Sequence, residues 1–217
     1  MSFHGPNPAN LPANMVSFRK LSDVLDSPGA YAAWQAPFAR SKLVPLEQHN
    51  RIADFKNVLE VGCGPGTSAG YFAHANYRGI DLNPRYIEHA RRRYRGEFET
   101  ADARTYFPPA DLRFDCIFLN SFLHHIDDEN TGRILRRLHD VLAPGGHIHV
   151  LDLVLPEKRS IARWLATHDR GDYARPLEKW REIFGGIFET VVFEPFALKK
   201  LGVDLWQMVY FKGSAKR

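Results

Sequence analysis

Between positions 57 and 187 the chain alternates two hydrophobic patterns. Short apolar runs bounded by turn residues predict buried strands, and apolar positions recurring every three or four residues predict helices. The strands are expected at NVLEVG (57–62), YRGIDL (77–82), EFETAD (97–102), FDCIFLNS (114–121) and GGHIHVLDLV (145–154). The intervening helices are GTSAGYFAHA (66–75), NPRYIEHARRRYR (83–95) and ENTGRILRRLHDVLA (129–143). In the second of these Asn83 supplies an N-cap and Pro84 a first helical residue. Strands separated by helices imply βαβ units, right-handed crossovers and a parallel sheet.

The flanks extend this unit. Two helical patterns are expected across 27–54, SPGAYAAWQAPFARSK and LVPLEQHNRIADF, and two more at 157–170 and 176–185. FETVVFEPF (188–196) and DLWQMVYFKG (204–213) follow too closely for a crossover helix, so they are expected to pair antiparallel. Residues 1–14, rich in proline and asparagine, read as a loose arm. The remainder reads as one domain over 15–217. Its parts are an N-terminal helical lid (27–54), a binding core (57–153), a helical segment (156–186) and a closing strand pair (188–212).

Composition narrows the class. The 217 residues, 44% hydrophobic and 25% charged, suit one globular domain. Two cysteines, Cys63 and Cys116, cannot make a disulfide framework, which suits a reducing cytoplasm. No apolar stretch is long enough to span a bilayer, and the start lacks a signal-peptide layout. The net charge of +4 gathers in ARRRYR (90–95) and RILRRL (133–138), which read as solvated helix faces. No metal-ligand spacing stands out, although scattered oxygen ligands for magnesium stay open.

Chemistry concentrates where the strands end. Ligands of an open parallel sheet bind beyond the carboxyl ends of its strands. Here those ends carry Glu60 to Gly66, Asp81, Asp102, Asn120 with Ser121, and Asp152. Gly62, Gly64 and Gly66 space as G-x-G-x-G, whereas a dinucleotide turn wants G-x-G-x-x-G and a P-loop wants Gly-Lys-Ser/Thr. Pro65 also removes an amide that a pyrophosphate would use. Asp81 suits a ribose diol, because its two acceptors match two hydroxyl donors. Asp102 could accept from the exocyclic amine of adenine.

With those residues in place, the chain resembles the class I S-adenosylmethionine-dependent methyltransferases, and most closely their bacterial small-molecule members. The resemblance rests on VLEVGCGPG (58–66), YRGIDLNPRYI (77–87), TADAR (100–104), FDCIFLNSFLHHIDD (114–128) and VLAPGGHIHVLD (141–152). It implies a doubly wound, Rossmann-like α/β domain. The sheet would have seven mostly parallel strands, an antiparallel last strand, and helices on both faces. It also implies S-adenosyl-L-methionine as cofactor, S-adenosyl-L-homocysteine as product, and in-line transfer to an oxygen, nitrogen or carbon atom of a small organic metabolite. Glu60, Gly62, Gly64 and Gly66 would hold the amino-acid part and sulfonium, and Asp81 with Leu82 the ribose and adenine edge. Asp102 and Ala103 would meet the adenine, and Asn120 would sit beneath the methionine moiety.

On the acceptor side a base is needed only if the acceptor must lose a proton as it attacks. His124, His125 and Asp152 are the catalytic candidates. Tyr31, Trp34 and Gln35 could close the pocket as a lid, with Asp169, Arg170 and Tyr173 from the later helical segment. Asn-Ser-Phe-Leu (120–123) lacks the paired prolines of enzymes that methylate nucleic-acid bases, which counts against nucleic acid as partner. Three other readings stay open: a nicotinamide-dependent dehydrogenase, a non-catalytic cofactor-binding scaffold, and a methyltransferase acting on RNA or protein.

Overall fold

The computed structural model describes residues 28–168 and 171–216, and for 28–37 and 39 it describes the backbone alone. The expected arm at 1–14 and the candidates Asp169 and Arg170 lie outside the described residues, as do the side chains of Tyr31, Trp34 and Gln35. Seven strands form one sheet: β1 (Asn57–Val61), β2 (Asn76–Asp81), β3 (Glu97–Thr100), β4 (Phe114–Asn120), β5 (Leu142–Leu153), β6 (Phe188–Lys200) and β7 (Val203–Ala215). Their order is β3-β2-β1-β4-β5-β7-β6.

β1 to β5 pair in parallel, and β7 runs antiparallel between β5 and β6. The antiparallel pairing of β6 with β7 has a local cause. Leu201 and Gly202 sit at φ +52° and +79°, the left-handed pair that a tight two-residue hairpin requires. A hairpin that short can join only antiparallel neighbours. The sheet therefore has the expected mostly parallel, doubly wound plan.

Among the described residues, five α-helices cover its two faces: α1 (Pro28–His49), α2 (Pro84–Arg93), α3 (Asp128–Asp140), α4 (Ile161–Thr167) and α5 (Leu177–Ile187). Strand alternation assigns the faces. Val58, Cys116 and Phe118 pack with Leu43 and Leu46 of α1 and with Ile87 and Ala90 of α2. Leu59, Val61, Ile117 and Leu119 pack on the other face, with Ile134 and Leu135 of α3 and Trp180 and Phe184 of α5. The predicted cap forms, with Asn83 accepting the Arg85 amide at 3.0 Å, and Asp127 also caps α3 by accepting the Asn130 amide at 2.8 Å.

Two expected elements take another form. The helical patterns of 27–54 merge through Pro37 and Pro45 into the single helix α1, followed by a one-turn 3₁₀ helix at Ile52–Asp54. An internal proline costs a helix roughly 3 kcal/mol. Burial of Leu43 and Leu46, 3% and 0% exposed, offsets that cost by seating the helix on the sheet.

The expected helix at 66–75 is instead a series of turns with a 3₁₀ segment at Ala69–Phe72. Its amides bond three residues back, Gly66 to Cys63, Ala69 to Gly66 and Tyr71 to Ser68, each at 3.0 Å. The tighter winding lets Phe72, fully buried, pack against Phe55, Tyr77 and Phe118.

The chain leaves β1 toward β2 on one side and later enters β4 on the other. The switch point of the sheet is therefore the gap between the carboxyl ends of β1 and β4.

Candidate active site

Backbone geometry builds the first wall. Just past β1, Gly62 and Cys63 both donate to the Ile80 carbonyl, at 2.9 and 3.0 Å. Gly62, Gly64 and Gly66 take φ of +73°, +54° and +83°. A Cβ on Gly62 would lie 2.4 Å from the Phe122 ring, so both conformation and space demand glycine there.

Asp81, ending β2, fixes this turn. One carboxylate oxygen accepts the Gly64 amide at 2.9 Å, and the other accepts that of Asn83 at 2.8 Å. Burial nevertheless pushes the Asp81 carboxyl up, with both amides opposing the shift.

Glu60, inside β1, is 2% exposed. The Tyr77 hydroxyl donates to it at 2.5 Å. Burial pushes the Glu60 carboxyl up to about 7, against the hydrogen bonds from Tyr77 and Ser68. Glu60, Gly62 and Gly64 line one cavity together with Lys42, Asn120 and Ser121. Lys42 crosses from α1 to donate to Ser121 Oγ at 3.0 Å, and Ser121 itself sits at φ +53°.

The remaining cofactor candidates lie at neighbouring strand ends. Leu82 follows β2 and is 66% exposed. Asp102 and Ala103 fall in the turn after β3, which ends earlier than expected, at Thr100. There the Asp102 carboxylate accepts from the Arg104 guanidinium, at 2.6 Å from Nη2, and from the Arg104 amide at 2.9 Å. That bonding holds Asp102 below the usual carboxylate range.

The opposite wall rests on Asp152. It is fully buried and accepts from the amides of Leu123 and Leu153 at 2.7 Å and of Phe122 at 3.3 Å. Its fourth partner is His124 Nδ1, at 2.7 Å. Burial pushes the carboxyl up, but His124 and the amides prevail and hold it below the usual range. Four donors fill the in-plane acceptor sites of one carboxylate. Asp152, expected as a catalytic group, is instead saturated and shapes the loop that carries His124.

His124 is 3% exposed and lies under the later segment. A Cβ on Gly171 would stand 2.1 Å from His124 Cδ2, and the Tyr173 amide donates to the His124 carbonyl at 2.9 Å. His125 is exposed, its ring 4.1 Å from that of His124, and Tyr173 is 43% exposed.

Arg175 fastens the segment. Its guanidinium donates to Asp128 at 2.7 Å, to the Leu123 and Tyr173 carbonyls at 3.0 and 3.1 Å, and to that of Ile126 at 2.5 Å. It also stacks on Trp180, 4.7 Å from the ring centre.

Ser121 was read in the sequence only as a strand end, and Lys42 and Tyr77 were not singled out. Nothing local marks Lys42 within an ordinary helical pattern; only the docking of α1 on the sheet brings it to the cavity.

Comparison with known proteins agrees with this geometry. A family described as a methyltransferase domain matches residues 58–146. A trans-aconitate 2-methyltransferase of Delftia acidovorans is 29% identical over 181 residues, 73% of this chain and 64% of the relative. One from Variovorax paradoxus is 30% identical over 183 residues, covering 77% and 63%. Methyltransferase GfsG of Streptomyces halstedii is 34% identical over 108 residues, covering 45% and 38%. The chain thus spans less than two thirds of the length of these curated relatives.

Among solved structures, the N-methyltransferase NodS of Bradyrhizobium japonicum, in complex with S-adenosyl-L-homocysteine, superposes with a TM-score of 0.66 at 20% identity. That match covers 91% of this chain and 98% of NodS. Human N-acetylserotonin methyltransferase superposes with a TM-score of 0.66 at 17% identity, covering 95% of this chain and 61% of that one. The methyltransferase-domain match over residues 58–146, the sheet order and the switch-point cavity all agree with the resemblance to the class I S-adenosylmethionine-dependent methyltransferases.

Proposed function

We propose that the protein transfers the methyl group of S-adenosylmethionine to an oxygen, nitrogen or carbon atom of a small organic acceptor. The observation that carries this reading is the switch-point cavity itself, where buried Glu60 and the bare glycine turn face Asn120 and Ser121. Its chemistry fits a nucleoside with an amino-acid end. The Asp81 charge repels phosphate, and Pro65 withholds an amide, so a dinucleotide fits poorly. Relatives named trans-aconitate 2-methyltransferase and O-methyltransferase support a small organic acceptor.

Glu60, Gly62, Gly64 and Gly66 would hold the amino-acid part, with Asn120 beneath it. Asp81 and Leu82 would take the ribose and adenine edge, and Asp102 and Ala103 the adenine. The cofactor supplies an activated methyl group on a sulfonium leaving group. The protein's share is alignment of an acceptor and exclusion of water.

The segment carrying Gly171 and Tyr173 lies over His124, latched by Arg175, and would close the acceptor side. Where the acceptor must shed a proton, His124 would be the base, its Nδ1 bonded to Asp152. The Asp152 carboxylate would then stabilise the imidazolium, acting as a positioning residue.

The direct test is turnover. S-adenosylhomocysteine formation would be followed with small carboxylic acids, phenols and amines, alongside RNA and protein acceptors. Product with a small molecule is expected; product with RNA or protein alone would overturn the reading.

Asp81→Ala is expected to weaken S-adenosylhomocysteine binding by about 1.5–3 kcal/mol, the range for hydrogen bonds to a charged group. An unchanged dissociation constant would remove Asp81 from the ribose.

Glu60 predicts a pH dependence. Its folded carboxyl titrates near 7 against 4.5 for a free one. The stability it contributes is therefore present below 4.5 and lost as pH rises through about 7. A cofactor ammonium favours the ionised form, so binding should release a proton and weaken toward tenfold per pH unit below about 7. Calorimetric titration in buffers of differing ionisation enthalpy measures this, and pH-independent affinity with no proton release would contradict it.

Asp152, held low, contributes stability that is present above 3.8 and lost as pH falls through its lower folded value. Asp152→Asn should cost about 1.5–3 kcal/mol at neutral pH, with the gap to wild type narrowing under acid. His124→Ala should lower turnover while cofactor affinity holds. Full activity on the true acceptor would exclude His124 as base.

A further inference from the structure

A buried polar cluster lies outside the switch-point cavity, where the end of α1 crosses the sheet. Its centre is His149 of β5, fully buried. His149 Nδ1 lies 3.0 Å from the Tyr210 hydroxyl of β7, and the Asn50 side-chain amide, just past α1, donates to that hydroxyl at 2.8 Å. Asn50 also donates to the Leu46 carbonyl at 2.8 Å. The end of α1 is thus tied through one hydroxyl to the sheet. His49 adds a stack on Tyr210, 5.6 Å between ring centres, and a contact of its Nε2 with Glu194 of β6 at 2.6 Å.

A tyrosine hydroxyl has one proton to give. With Asn50 donating to it, that proton goes to Nδ1, so the neutral His149 ring carries its own proton on Nε2. Nε2 is buried and meets no partner among the described residues. A second proton would have to sit on Nδ1, the atom that now accepts, and the hydroxyl proton would lose its acceptor. It would also place a charge in a dry site. The groups facing that site do not welcome it. Lys212 stands opposite His149 on β7, and its Nζ reaches the His49 carbonyl at 3.4 Å. His147, two residues back on β5, has its ring centre 6.2 Å away. Phe55, after the 3₁₀ turn, packs at 5.5 Å, and buried Cys116 of β4 stands opposite His147. The carboxylate of the cluster, Glu194, is engaged by His49. Burial holds His149 well below the ordinary histidine range, with His147 and Lys212 adding to the shift.

The same helix carries Lys42 and Leu43, two turns upstream of His49, onto the switch-point cavity. We propose that protonation of His149 releases the end of α1 from the sheet, so that in acid the cavity loses its α1 wall and its hold on the cofactor. The device is a pH-sensitive catch beneath the helix. Its effect on the cofactor rests on the reading above; the release of α1 does not.

The docked ring excludes the proton, and the released ring takes it up at the ordinary value of 6.5. Docking is therefore full above 6.5 and lost as pH falls below it toward the lower docked value. Hydrogen exchange without ligand, corrected for the intrinsic rate at each pH, reads this directly. In wild type the amides of residues 43–49 should lose protection by up to tenfold per pH unit below about 6.5, while those of β1 and β4 hold. His149→Leu fills the site and takes no proton, so its α1 protection should stay level over the same range. Lys212→Gln, which removes the facing cation, should make the loss less steep. Retained protection in β1 and β4 shows that each variant is folded.

Wild-type α1 protection that does not change with pH would overturn the proposal. So would a His149→Leu variant that loses it as steeply as wild type, which would move the response to His49 and Glu194. Should His149→Leu not fold, Lys212→Gln decides, and a loss as steep as wild type would overturn it. S-adenosylhomocysteine affinity should fall more steeply below 6.5 in wild type than in His149→Leu, which keeps the Glu60 dependence alone. Equal slopes, with α1 still released in wild type, would sever the catch from the cavity. If S-adenosylhomocysteine binds at no pH, the cofactor reading fails, and the exchange data still decide the release of α1.

Discussion

The site depends first on the bond from the Gly64 amide to the Asp81 carboxylate. A turn with three glycines at positive φ needs partners for its amides, because an unsatisfied buried amide costs free energy; Gly62 and Gly66 find main-chain carbonyls, which leaves Gly64. Asp81 answers it and, through its other oxygen, fixes the chain as it leaves β2 toward Asn83. One side chain thus sets the spacing of two adjacent strand ends. The turn it stabilises stands beside Glu60 and faces Asn120 and Ser121.

Asp152 performs the matching task across the sheet, gathering the amides that follow β4 and the ring of His124. Phe122 connects the two halves. Its amide leans on Asp152, and its ring occupies the space that a side chain at position 62 would need. The walls differ in kind. The glycine-turn wall is main chain tied to a carboxylate, which suits a ligand of constant shape. The other side, over His124, is a segment fastened by the Tyr173 amide and the Arg175 guanidinium.

Much of this plan was legible in the chain. Strand patterns survive because β1 and β4 are buried on both faces and read as continuous apolar runs. The Asn83–Pro84 start of α2 was explicit, because a cap is a local bond between residues two apart. The stretch 66–75 was misread as helix because its period fits one. Gly64 and Gly66 in left-handed geometry and the burial of Phe72 favour tighter turns.

The charges of the site were legible as residues and not as roles. Asp152 looked like an acid or base at a strand end, and only its four partners show it saturated. Lys42 and Arg175 act across 79 and 52 positions of sequence. No local pattern records which carbonyl or hydroxyl such long side chains will meet, because that is decided by how the helices dock.

The central claim is that the switch-point cavity takes S-adenosylmethionine. Thermal unfolding with S-adenosylmethionine, S-adenosylhomocysteine, NAD and NADP tests it most directly. A ligand at about 100 times its dissociation constant adds about 2.7 kcal/mol, a rise of roughly 5–10 °C for a domain of this size. The account predicts that rise with the first two ligands and none with the nicotinamide dinucleotides. A rise with NAD or NADP alone, or with none of the four, would contradict it.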